Sequence, residues 1–253
     1  MKKIFVALQL YTIRDFANDD AAGSLRKVKE MGYDYVELAG TYDLSFQETG
    51  NILSELELAA ISAHVSFDEL RKDLAGTISA YKSLGCEYII ISMLKSERLA
   101  GGEEWEETKD FLKQFCAACK AAGVIPAYHN HAHEFEKLAN GEFVLDAFFR
   151  ELPEISAQLD TGWIKAAGQS PEAYIKKYAG RCPVVHIKDT IENSQNCYVD
   201  TPVGQGSQNI PATVEVSAES GVSGFVVELD RPHGKTSLEA ARESREYLKS
   251  LGY

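Results

Sequence analysis

Residues 123–135 read GVIPAYHNHAHEF, and their order decides the fold. Gly123 sits where a helix stops, since glycine adopts the left-handed conformation that commonly ends one. The run from Val124 to Tyr128 is apolar enough for a buried strand, and it gives way abruptly to His129, His131, His133 and Glu134. Helix, buried strand and polar strand end form one unit. Successive side chains of a strand face opposite sides, so an extended segment over residues 128–133 would turn the three imidazoles one way and Tyr128 and Asn130 the other.

The same unit recurs along the chain. Strands are expected over residues 4–8, 33–38, 60–65, 87–92, from 124 into the histidine stretch, and over 155–159, 183–187 and 225–229. Between them, helical periodicity marks residues 21–31, 45–58, 67–84, 102–122, 143–151, 171–179, 210–219 and 236–251, several closed by glycine. Residues 188–209 form the longest connection without clear periodicity and contain the VGQG turn around Gly204 and Gly206. Eight apolar strands alternating with helices predict a parallel (β/α)8 TIM barrel, a single domain spanning residues 1–253.

Such a barrel gathers its chemistry at the C-terminal ends of its strands. That rule collects Gln9, Glu37, His64, the histidines after residue 128, Asp160, His186 and Glu228 around one mouth. Buried carboxylates need compensation, because an unpaired charge is expensive to desolvate. Glu134, Asp160, His186 and Glu228 are therefore the candidate ligands of one divalent cation. An oxygen-rich set with one imidazole points to manganese foremost, with magnesium, cobalt and zinc as alternatives. Such an ion would polarise a carbonyl and stabilise an enediolate-like intermediate. Glu228, Glu134, His131 and Lys188 are the candidate acid–base and electrostatic groups, and Gln9, Glu37, His64, His129 and Trp163 the candidate substrate contacts. Each has a plainer alternative, such as a strand-end charge met by a neighbour or a tryptophan packed in a loop.

Bulk properties narrow the partners. A formal charge of -12 without a basic patch argues against nucleic acid and anionic membrane surfaces. The opening MKKIFVALQLYTIRD superficially resembles a signal peptide, but Gln9, Tyr11 and Arg14 interrupt it, so a first strand is expected. With no run long enough to span a membrane, a cytoplasmic protein is expected. Cys86, Cys116, Cys119, Cys182 and Cys197 are irregularly spaced and odd in number, which disfavours a disulfide framework. The Cys116–Cys119 pair lies inside an amphipathic helix and reads as core packing rather than a redox or zinc motif.

The motifs QLYTIRD, AHVS, YHNHAHEF, LDTGW, HIKD, VGQG and VVELD follow one another from Gln9 to Asp230. In that order they resemble the xylose-isomerase-like barrel superfamily, specifically its bacterial sugar phosphate isomerase/epimerase branch with inosose dehydratase and ketose 3-epimerase relatives. The resemblance implies a metal held by Asp160, His186 and Glu228, with a fourth ligand from the fifth strand. Glu134 is the provisional fourth ligand and His129 the alternative. It also implies an isomerase or epimerase acting on a small sugar, ketose or polyol, as a possible homo-oligomer. The paired glutamates of the epimerases are not clearly matched, so a metal-dependent lyase or dehydratase acting on a keto-inositol or 3-keto-glycoside is the alternative. A non-enzymatic carbohydrate-binding barrel is the third reading. The fuller histidine set of the superfamily's trinuclear zinc endonucleases is not reproduced.

Overall fold

A computed structural model describes residues 4–192 and 198–253; Cys197 lies outside them. Continuous Val, Ile, Leu and Phe runs suit strands buried on both faces, and they form β1 (Phe5–Gln9), β2 (Tyr35–Leu38), β3 (Ala59–Val65), β4 (Tyr88–Ile91), β5 (Ile125–His129), β6 (Ser156–Asp160) and β7 (Val184–Ile187). A hairpin of β8 (Asp189–Glu192) and β9 (Tyr198–Thr201) follows, and β10 (Gly224–Val227) completes the set. All the strands except the hairpin close into one barrel in the order β1-β10-β7-β6-β5-β4-β3-β2, every pair parallel. The chain thus folds as a TIM barrel.

Two-residue periodicity divides the strand residues between two cores. Ala7, Tyr88, Ile90, Ala127, Val184 and Val226 pack together inside the barrel. Gly224 makes room there, because a Cβ at that position would lie 2.0 Å from the Phe5 ring. Alternate residues face the helices, as where Tyr128 meets Phe148 at 4.4 Å between ring centroids. The helix Trp105–Ala122 buries Trp105, Phe111, Leu112, Phe115, Cys116 and Cys119 against this outer core and ends at Gly123, whose φ is 73°. Each fully buried aromatic of this kind contributes about 1.5–3 kcal/mol of hydrophobic stabilisation.

Two expectations change. The single helix expected over residues 67–84 is two helices, Phe67–Lys72 and Leu74–Ser83. Asp73 breaks the run with φ -153°, and its carboxylate caps the second helix by accepting the Gly76 amide at 2.9 Å. Within the connection expected to lack periodicity, β8 and β9 pair antiparallel. The VGQG turn explains how this polar hairpin is held. Gly204 and Gly206 donate their amides to Asp189 Oδ2 at 3.0 and 2.8 Å, and Gln208 donates to Oδ1 at 3.1 Å. Backbone donors that would suit an anion are here occupied by a side chain of the protein.

Candidate metal centre

Strand register places the polar side chains before any of them is chosen. Gln9 pairs with Glu37, His129 with Gln158, and Asp160 with His186. Neighbours in a parallel register share a face, so these residues enter the barrel together above its apolar plug. Glu228 follows β10 two residues after the inward Val226 and reaches the same level.

Glu37 roots the lowest polar layer. Its Oε1 accepts from Gln9 Nε2 at 2.7 Å and meets His186 Nε2 at 2.6 Å; its Oε2 accepts from Ser62 Oγ at 2.6 Å and Gln158 Nε2 at 2.7 Å. Burial alone would raise this carboxyl, but the His64 and His186 rings and the hydrogen bonds from His186 and Ser62 bring it down to about 2. Gln9 and Glu37, expected as substrate contacts, are fully buried and do not line the cavity.

Above this layer lie His129, Asp160, His186 and Glu228, all buried, each offering one donor atom within 4.8 Å of the others. The short helix Thr161–Ala166 explains how Asp160 is aimed. Asp160 Oδ1 caps that helix by accepting the Trp163 amide at 2.8 Å. Its Oδ2 is left buried without a hydrogen-bond partner. It lies 3.8 Å from His129 Nε2 and 3.8 Å from His186 Nδ1, while His186 Nδ1 lies 2.9 Å from Glu228 Oε2. Atoms bonded to a common ion at about 2.0–2.2 Å have separations of this order. Burial opposes charge on His186, yet Glu37 and Glu228 on its two sides lift it to about 10. The space between the carboxylates thus calls for positive charge, from a proton or from an ion, and the donor set fits a divalent metal.

Glu134 does not join this group. The strand ends at His129, and His133–Phe135 forms a 3-10 turn, so the extended arrangement expected for residues 128–133 is not formed. The reason is the Glu134 carboxylate itself, which accepts from the Tyr128 hydroxyl at 2.6 Å and the His131 amide at 2.9 Å and folds the segment back over β5. Burial raises the Glu134 carboxyl above its usual range, with His133 opposing the shift. His133 leaves the histidine row to meet the Leu94 carbonyl at 3.0 Å. The fifth-strand member of the cluster is His129.

A cavity of about 890 Å³ opens above the cluster, and His64, His129, His131, Trp163, Lys188 and Glu228 line its inner part. Lys188 is buried; its Nζ lies 2.6 Å from Asp230 Oδ2, 3.0 Å from Glu228 Oε2 and 3.3 Å from Asp160 Oδ2, the last without hydrogen-bond alignment. Burial disfavours its charge, but Asp160, Glu228 and Asp230 outweigh that and hold the ammonium protonated. Burial likewise opposes ionisation of Glu228, and Lys188 and His186 overcome it. His131 is pushed down to about 3 by burial and by Lys188, so its ring is neutral; its Nδ1 and the Trp163 Nε1 are buried without partners.

The profile of the family described as Xylose isomerase-like TIM barrel matches residues 25–251. The chain belongs to that family. Among curated relatives, inosose dehydratase 2 of Bacillus cereus is 28% identical over 158 residues, covering 54% of this chain and 52% of the relative. The chain therefore spans about half the length of that relative. A sugar phosphate isomerase/epimerase from Parabacteroides distasonis superposes with a TM-score of 0.83 at 23% identity, covering 98% of each chain. The IOLI protein with a binding zinc atom superposes with a TM-score of 0.75 at 19% identity, again covering 98% of each chain. At these identities the two structures are likenesses of fold.

Within this xylose isomerase-like barrel, Gln158, Asp200 and Asp230 are polar members of the site that sequence reasoning passed over. Gln158 carried a usable signal, standing two residues before Asp160 and so on the same strand face. Asp230 and Asp200 carried none, because only the folded hairpin brings Asp200 Oδ2 to the Asp230 and Arg231 amides, at 2.6 and 3.0 Å.

Proposed function

We propose that this barrel is a divalent-metal-dependent enzyme that removes a proton beside the carbonyl of a small keto-sugar or keto-polyol and expels a β-oxygen substituent, a lyase or dehydratase reaction. His129, Asp160, His186 and Glu228 would hold the ion. Two imidazoles and two carboxylates shift the preference from the manganese of an oxygen-rich site toward zinc or cobalt. When bound, the ion would polarise the substrate carbonyl and a neighbouring hydroxyl.

The composition of the cavity wall carries this reading. Glu228, kept ionised by Lys188 and His186, is the base that takes the carbon-bound proton. Among the described residues no second glutamate joins its donor cluster; the cavity wall instead holds the neutral His131 ring, 5.4 Å from the Trp163 ring, and the Lys188 ammonium, 3.0 Å from Glu228 Oε2 and 5.1 Å from that indole. His131 Nδ1 and Trp163 Nε1, unpartnered at the wall, orient substrate hydroxyls. Lys188 stabilises negative charge on the departing oxygen. The relationship to inosose dehydratases supports the same choice. Four buried free thiols are in keeping with a cytoplasmic, reducing location, and no helix among the described residues is long and apolar enough to cross a membrane.

Isomerase or epimerase chemistry is the second reading, favoured by the position of His131 at the cavity wall, where a neutral imidazole would return the proton in place of a second carboxylate. Incubating zinc- or cobalt-loaded protein with inososes, ketoses and 3-keto-glycosides in heavy water separates them. Loss of water or of an aglycone supports elimination; exchange of one carbon-bound proton with the formula retained supports epimerisation. A protein that binds these sugars yet never exchanges or eliminates would leave a carbohydrate-binding barrel.

A further inference from the structure

Beneath the donor cluster, two residues with no access to substrate dictate which nitrogen each imidazole can offer. Gln9 Oε1 accepts the Tyr11 amide at 3.0 Å, so the Gln9 amide nitrogen is the atom turned to Glu37. With donors from Gln9, Ser62 and Gln158 around it, the Glu37 carboxylate is purely an acceptor, and the His186 nitrogen 2.6 Å away must carry a hydrogen. Gln158 gives its amide nitrogen to Glu37 Oε2 at 2.7 Å, which turns its oxygen toward the other two rings. That oxygen lies 2.6 Å from His64 Nε2 and 3.1 Å from His129 Nδ1. An amide oxygen only accepts, so both of those nitrogens are donors.

We propose that Glu37 and Gln158 are positioning residues that form one relay, fixing His186 to present Nδ1 and His129 to present Nε2 as lone-pair donors to the ion. The relay rests on the reading of His129, Asp160, His186 and Glu228 as a metal site. Its geometry agrees at both ends: His186 Nδ1 and His129 Nε2 are the atoms 3.8 Å from the unpartnered Asp160 Oδ2. A hydrogen bond at the distal nitrogen fixes the tautomer and orientation of a ligating histidine. Here a single buried carboxylate serves one ring directly and the other through an amide.

The test uses the full-length protein with zinc and cobalt themselves as probes. Glu37→Gln removes the pure acceptor while keeping the shape, and Gln158→Met removes the amide while keeping the volume. Each should weaken zinc affinity roughly 10- to 100-fold, the usual effect of losing such a support. The double variant should lose less than the product of the two single losses, because both act on one relay. Imidazole nitrogen NMR supplies a second readout: the tautomer of the neutral His129 ring should change or become mixed in metal-free Gln158→Met, and the nitrogen that His186 gives to the ion should change or become mixed in zinc-loaded Glu37→Gln. Ser62→Ala, which removes one bond to Glu37 outside the relay, should lower Tm yet leave both tautomers in place.

Folded variants with wild-type tautomers and zinc affinity within about twofold of wild type would overturn the relay. A wild-type protein that takes up neither metal would reject the metal reading instead, and metal-free NMR of the neutral His129 ring would still decide whether Gln158 sets its tautomer. Should Glu37→Gln fail to fold, Gln158→Met tests the His129 arm by itself.

Discussion

Gly162 lies against Lys188 so closely that a Cβ on Gly162 would stand 2.7 Å from Lys188 Cβ and 3.0 Å from its Cδ. The lysine stem is buried, so it cannot swing into solvent to make room. Gly162→Ala should therefore displace the ammonium from Glu228 and Asp230, destabilise the fold by about 1–3 kcal/mol, and reduce kcat/KM by at least roughly tenfold. Steady-state kinetics and thermal melts check it; a fully active Gly162→Ala protein would show that the lysine's position is immaterial.

Lys188→Met leaves Asp160, Glu228 and Asp230 without their ammonium, and breaking a buried ion pair typically costs about 3–5 kcal/mol. A divalent ion would restore part of the missing positive charge. The rise in Tm on adding zinc should thus be larger for Lys188→Met than for wild type, while turnover is lost. Equal rises in the two proteins would count against electrostatic competition between lysine and ion.

Asp160→Asn and Glu228→Gln should each abolish tight metal binding, whereas Glu134→Gln should retain it. Glu134 acts through Tyr128 and the His131 amide, so its substitution should lower stability by about 1–3 kcal/mol, the penalty of an unsatisfied buried group. Metal content per chain after gel filtration distinguishes the two classes. Loss of metal in Glu134→Gln at unchanged stability would return that residue to the ligand set.

Burial pushes the Cys86, Cys116, Cys119 and Cys182 thiols up to about 12. A raised thiol stays protonated and unreactive until the pH approaches that value. At roughly pH 8, near an ordinary thiol's range, a thiol reagent should modify at most one cysteine of the native chain and all five after denaturation. Rapid native modification of Cys116 or Cys119, located by mass spectrometry, would revive a redox role for the pair.

The barrel was legible because each strand is a short continuous run such as Tyr88–Ile91, which buries both faces and needs no partner to be recognised. Asp160, His186 and Glu228 were legible for a related reason: a charged group closing an apolar run has to be compensated. Extrapolating two-residue alternation beyond His129 was less informative, because a turn made by Glu134's own hydrogen bonds cannot be read from spacing. Gln158 was legible only as to its strand face; what spacing did not give is its partners, which come from β2, β3 and β5.

The Glu37 layer also bears on folding. Its members come from β1, β2, β3, β6 and β7, and Glu37 meets His186 across a sequence separation of 149 residues. Contacts this distant along the chain are slow to form, and neither half of the barrel contains enough of them to orient both imidazoles. Ion capture at the proposed site would therefore be a property of the closed ring alone: a partly synthesised or half-unfolded chain holds the donor residues without the architecture that aims them, and metal uptake would report completion of folding.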